Sequence, residues 1–111
     1  MSDAVKLEAR QPDPSLDELA LDLEPGNPQV LYNTGIWYLQ QGEVDEAITS
    51  LSKAVAVSPS DPSANYVLGK LLFEKGDEER ARRLLTRARG LTQSQDRLTA
   101  IEGMLAELAA E

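Results

Sequence analysis

Apolar residues spaced three and four apart, interrupted at short intervals by proline and glycine, run from Leu16 to the end of the chain and predict helices without strands. The first stripe is Leu16, Leu19, Ala20 and Leu23. Ser15 and Glu18 stand ahead of it as a capping box, in which the two side chains satisfy free N–H groups of a helix start. This short helix stops at Pro25-Gly26. Asn27-Pro28 and Asp61-Pro62 each set an N-cap side chain before a proline at the first helical position, where its missing N–H costs nothing. Helices are expected from Pro28 to about Gln41, Val44 to Val57, Pro62 to Lys75 and Asp77 to Arg89. Breaks fall at Gly42, Ser58-Pro59 and Gly76, and Gly90 is expected to be a left-handed C-cap. A last helix over about Ser94 to Ala109 should bury Leu98, Ile101, Leu105 and Leu108. Connections of two to five residues make neighbouring helices antiparallel. Residues 1–14, polar and ending in Gln-Pro-Asp-Pro, read as a flexible arm before a domain over 15–109.

The pattern repeats every 34 residues. Ala20, Ala54 and Ala88 share a phase, as do Gly35, Gly69 and Gly103, and the pairs Pro25/Pro59, Pro28/Pro62, Tyr32/Tyr66, Gly42/Gly76, Ala47/Ala81 and Leu51/Leu85. Such a period marks stacked supersecondary units, each unable to bury its apolar face without a neighbour. The expected fold is an all-α solenoid of about six antiparallel helices. Two full repeats, 28–61 and 62–95, are flanked by an N-terminal half-repeat helix and a capping helix over 94–109. Gly35 with Ala47, and Gly69 with Ala81, read as small-residue contacts where paired helices cross, and Ala54 and Ala88 as contacts to the next unit.

Over residues 15–109 the chain resembles the tetratricopeptide-repeat family, whose pattern is Trp-x₂-Leu-Gly-x₂-Tyr, then Ala-x₃-Phe, then Pro. The first repeat reads Leu31-x₂-Thr34-Gly35-x₂-Tyr38, then Ala47-x₃-Leu51, then Pro59. The second reads Asn65-x₂-Leu68-Gly69-x₂-Leu72, then Ala81-x₃-Leu85, with Gln93 in place of the proline. Asn65 and Gln93 mark the second repeat as divergent. The resemblance implies that Val30 and Trp37 face the preceding unit, with Trp37 packing on Leu16, Leu19 or Ala20; the alternative leaves Trp37 half exposed in the groove. It also implies that the first helix of each pair lines a concave face, placing Gln29, Tyr32, Asn33, Ile36, Tyr66, Lys70, Phe73 and Arg97 in a groove for a peptide or partner surface. Two tyrosines in register suit that role, with large contact area and few torsions. Tyr32, Ile36, Tyr66 and Phe73 also suit plain inter-helix filler, and the sequence leaves both readings open. Some family members grip a C-terminal carboxylate with lysine, asparagine and arginine. Lys70, Asn33 and Arg97 supply those types here at positions that do not match, because Tyr32 and Ile36 occupy the first-repeat places.

Composition narrows the function. The chain has 111 residues, 27% charged and 41% apolar, and a formal net charge of −8. That suits a globular domain and argues against nucleic acid as a partner, since phosphate contacts need a basic face. Neither cysteine nor histidine is present, so thiol chemistry and the usual proton shuttle at neutral pH are missing. No serine lies in a nucleophile motif, and no phosphate or calcium loop occurs. The expectation is a non-enzymatic protein that takes no metal or cofactor. No run approaches membrane-spanning length or a signal peptide, and a cytoplasmic location is expected. Arg80, Arg82, Arg83, Arg87 and Arg89 crowd one helix. They read mainly as a solvated face, with Glu78–Arg82 and Glu79–Arg83 pairs and a favourable helix C-terminus. The expected role is a protein–protein interaction module. The alternative is a structural homo-oligomer joined through solenoid ends or the N-terminal arm.

Overall fold

The computed structural model describes residues 26–110, which form five helices and no strand: α1 (Pro28–Gln40), α2 (Val44–Val57), α3 (Pro62–Lys75), α4 (Glu78–Leu91) and α5 (Gln95–Ala109). The expected arm over 1–14 and the first helix lie outside the described residues, and so do Leu16, Leu19 and Ala20, the expected partners of Trp37. Trp37 itself is half-buried and meets Tyr38 edge to face, with ring centroids 5.4 Å apart. Among the described residues no helix is long and apolar enough to cross a membrane.

The helix starts follow from local chemistry. Asn27 Oδ1 accepts from the N–H groups of Gln29 (2.9 Å) and Val30 (3.2 Å), and Asp61 Oδ1 from Ser63 (2.9 Å) and Ala64 (3.5 Å). Each bond satisfies a donor that has no partner inside the helix. Ser94 Oγ does the same for Arg97 N at 3.2 Å. At the turns inside each pair, Gly42 and Gly76 take φ of 80° and 89°, a left-handed conformation open to glycine at little cost. The following N–H then donates back to the helix, Glu43 to the Tyr38 carbonyl and Asp77 to the Leu72 carbonyl, both at 2.9 Å. Gly90 departs from expectation. It lies inside α4, which continues to Leu91 and leaves through extended Thr92, so no left-handed residue is needed there. Thr92 Oγ1 accepts from Ser94 N at 3.1 Å and leads the chain into the α5 cap.

At the paired glycines, leucines join the expected close approach of the helices. A methyl group on Gly35 would lie 2.7 Å from Leu51 Cγ and 3.4 Å from the Ala47 carbonyl oxygen; one on Gly69 would lie 2.9 Å from Leu85 Cδ2 and 3.3 Å from Leu84 Cβ. The glycines therefore receive leucines, while the alanines contribute little more than a close backbone. Ala47, Leu51, Ala81 and Leu85 are all fully enclosed. Ala54 clusters with Leu31 and with Ala64 of the next repeat, and Ala88 belongs to the cluster that holds Ile101 and Leu108 of α5. Of the α5 stripe, Ile101 and Leu108 are buried, and Leu98 and Leu105 are half-buried.

Two polar residues sit in the core. Asn65 is fully buried, and its Nδ2 donates to the carbonyls of Pro59 (2.9 Å) and Asp61 (2.8 Å). The residue that looked like divergence thus clamps the connection between repeats, at the place where Leu31 packs in the first. Thr34 is 1% exposed, and its Oγ1 has no hydrogen-bond partner among the described residues.

Gly35→Ala should lower stability by about 1–3 kcal/mol through overpacking against Leu51, although alanine favours helix. Gly103→Ala, in a helix with nothing within 4 Å of the added methyl, should raise it by about 0.5–1 kcal/mol. Chemical denaturation of both variants checks the opposite signs. Thr34→Val removes the unpaired hydroxyl at nearly constant shape and should stabilise by about 1–2 kcal/mol. A fall in the thermal midpoint would show that this oxygen is satisfied in solution.

Candidate functional site

Because α1 pairs with α2 and α3 with α4, one face of the stack is built from the first helices of the repeats. Tyr32 of α1 packs on the cluster of Leu31, Ala54 and Ala64, in which α2 links the first helices of the two repeats. Ser63 of α3 in turn accepts from Arg97 of α5, whose Nη1 lies 3.0 Å from its Oγ. This face carries the residues expected in the groove. Tyr32, Ile36, Tyr66 and Phe73 are half-buried; Gln29, Asn33 and Lys70 are exposed. Tyr32, Tyr66 and Phe73 each rest against the core, leaving part of each ring uncovered.

The polar residues have distinct states. Gln29 Nε2 donates to Asn33 Oδ1 at 3.1 Å, one helical turn away, so these two amides pre-orient each other on the surface. Arg97 is far more constrained than the sequence implies. Its guanidinium carbon stands 5.1 Å from the centroid of the Tyr66 ring while Nη1 is bonded to Ser63. The cation and the ring face attract, and the planar guanidinium stacks where a lysine would not. Arg97 thereby ties the capping helix to α3 and forms a wall beside Tyr66. Lys70, by contrast, is exposed and makes no ion pair among the described residues.

Sequence reasoning missed the Arg97–Ser63 and Arg97–Tyr66 contacts, and also the 3.0 Å ion pair between Lys75 at the end of α3 and Asp45 at the start of α2. The only hint for the first was the 34-residue interval from Ser63 to Arg97, which is the repeat length itself. Arg97→Ala should cost about 1–2 kcal/mol in stability, because it removes both the ring contact and the hydrogen bond. Urea titration measures the loss, and Arg97→Lys should recover less than half of it.

Comparison with known proteins agrees with this architecture. Residues 37–76 match a family model described as TPR repeat. A curated relative, an FK506-binding protein-like protein of Rattus norvegicus, is 35% identical over 54 residues, which are 49% of this chain and 16% of that protein. The chain thus spans about a sixth of that relative's length. Among solved structures, the type III secretion chaperone SycD of Yersinia enterocolitica, in complex with a peptide of the translocator YopD, superposes with a TM-score of 0.76 at 19% identity. That match covers 87% of this chain and 77% of SycD. The TPR domain of P58(IPK) gives 0.80 at 22% identity, covering 87% of this chain and 27% of that one. MamA gives 0.72 at 25%, covering 87% and 61%. The repeated motif and the match over residues 37–76 identify tetratricopeptide-repeat sequence in this chain, and its solenoid fold is similar to that of the TPR domain of P58(IPK).

Proposed function

We propose that this protein is a non-enzymatic interaction module that binds a peptide segment of a partner protein along the face built by α1, α3 and α5. The observation that carries the reading is the register of Tyr32 and Tyr66. They occupy equivalent places one repeat apart, each half-buried and resting on the core, with the Arg97 guanidinium over the Tyr66 ring. Anchored aromatic rings lose little conformational freedom on binding and offer a broad apolar surface with a polar tip. Gln29 and Asn33 supply amide donors and acceptors for a peptide backbone at one end. Lys70 supplies a free cation midway, Ile36 and Phe73 supply apolar contact, and Arg97 walls the far end. SycD, similar in fold, has been seen with a translocator peptide, and this supports a peptide as the class of ligand.

Capture of partners by the tagged full chain, with identification by mass spectrometry, provides the ligand. The double variant Tyr32→Ala, Tyr66→Ala should then lose that capture by about tenfold or more while its helical circular dichroism stays unchanged. Capture that survives the double change would reject the groove. Light scattering distinguishes the oligomer alternative: a stable dimer that buries Tyr32 or Tyr66 would replace the peptide by a second copy.

A further inference from the structure

The second helices of the two repeats leave a cleft of their own. Val55 of α2, Leu68 of α3 and Leu84 of α4 line its apolar part, and Arg80, Arg83 and Arg87 line its charged part, around about 230 Å³ of open space. None of the residues proposed for the α1–α3–α5 groove borders it. The three arginines are spaced three and four apart, so they stand on one face of α4.

These cations are poorly matched inside the protein. Arg80 meets Asp77 at 3.4 Å, and Arg83 meets Glu79 at 4.0 Å with side chains 62% and 85% exposed. Exposed pairs of this kind contribute little and are easily exchanged. The expected Glu78–Arg82 pair does not form among the described residues. Arg87 has no carboxylate within ion-pair distance among the described residues; its Nη1 donates to the buried, neutral Asn65 Oδ1 at 3.3 Å. That bond engages one of the five guanidinium N–H donors. No carboxylate lines the cleft.

Neither the fold nor the helix dipole requires this arrangement. The positions one repeat earlier in α2 are Glu46, Thr49 and Lys53, and that helix pairs with α1 in the same way. Arg80 lies in the first turns of α4, where the dipole disfavours a cation. A concentrated positive stripe over an apolar floor, on a chain of net charge −8, is complementary to an acidic ligand that also carries apolar side chains.

We propose that the cleft between α2 and α4 is a second docking site, taking an acidic, leucine-bearing peptide segment of a partner protein. Its carboxylates engage Arg83 and Arg87, bidentately where geometry allows, and an apolar side chain settles on Val55, Leu68 and Leu84. The site is separate from the tyrosine-lined groove and does not depend on it.

Fluorescence anisotropy of the full chain tests this, with a fluorescein-labelled synthetic peptide of repeated Glu-Leu-Glu-Glu-Leu sequence and its lysine-for-glutamate counterpart as probes. The acidic peptide should bind, more weakly as salt rises, and the basic one should not. Arg83→Glu, a change at an exposed side chain, should weaken binding about tenfold or more, and Arg87→Gln should act in the same direction. Tyr32→Ala with Tyr66→Ala should leave it unchanged. Absence of binding, or binding indifferent to Arg83→Glu in a protein of native circular dichroism, overturns the proposal. Loss through the tyrosine pair instead moves the peptide to the groove and overturns it equally. Binding that emerges only when Asp17, Glu18, Asp22 and Glu24 are neutralised to their amides makes the chain's own acidic segment the occupant. A dimer dispersed by Arg83→Glu makes it a second copy. Either result removes the partner peptide.

Discussion

Leu51 lies where a side chain at Gly35 would have to go, and Leu85 does the same at Gly69. This interlock brings α1 onto α2 and α3 onto α4 closely enough that Ala47 and Ala81 are sealed completely. A dense interior transmits such a constraint, because a methyl group added at the crossing has no void to enter. The helix pairs therefore have the same internal geometry although most of their residues differ. Stacking the pairs then assigns faces: the first helices carry the tyrosines, and the second helices carry the arginine cleft. The positions that set the crossing are small or apolar and offer no chemistry of their own, so recognition falls to the positions the crossing leaves unconstrained.

The interlock is absent at the third glycine of the period. Gly103 keeps the phase of Gly35 and Gly69, yet nothing approaches it. One repeat on from Leu31 and Asn65 stands Thr99, from Thr34 and Leu68 stands Glu102, and from Tyr38 and Leu72 stands Ala106; Thr99, Glu102 and Ala106 are all exposed. The opposite stripe of α5 buries Ile101 and Leu108 against the preceding pair, so the helix closes the apolar stack on one side and faces water on the other.

What could be read from the sequence was whatever is decided locally. Asn27-Pro28, Asp61-Pro62, Gly42 and Gly76 act through their own dihedrals and the nearest N–H groups, and the helix ends they imply agree with the structure to within a residue or two. Gly90 misled because a glycine after an amphipathic run has two uses. Only the extended path through Thr92 to Ser94 shows that a left-handed stop was unnecessary. The period correctly implied that the glycines lie at crossings but not what fills them, since alanine and leucine are one helical turn apart and both recur. Asn65 was legible as a polar residue in an apolar slot. Its reason lies in two carbonyl groups of the connecting turn, whose directions no side-chain pattern encodes. Arg97 and Arg87 reach partners 34 and 22 residues away, and those contacts exist only once the pairs are stacked.

The two arginines also show how a repeat protein can acquire specificity without disturbing its fold. Arg97 sits on an aromatic ring and a hydroxyl, so its charge helps to hold the cap and is partly withdrawn from recognition. Arg87 donates to a neutral amide and meets no carboxylate within ion-pair distance among the described residues. A hydrogen bond of that kind restricts the side chain, and an anionic partner then supplies less of the ordering cost on binding. The same logic applies across the tyrosine-lined face, where Ile36 is replaced by Lys70, Asn33 by Val67 and Leu39 by Phe73 from one repeat to the next. The backbone offers each pair of side chains in equivalent places. The differences between them make the surface chemically distinct from one repeat to the next.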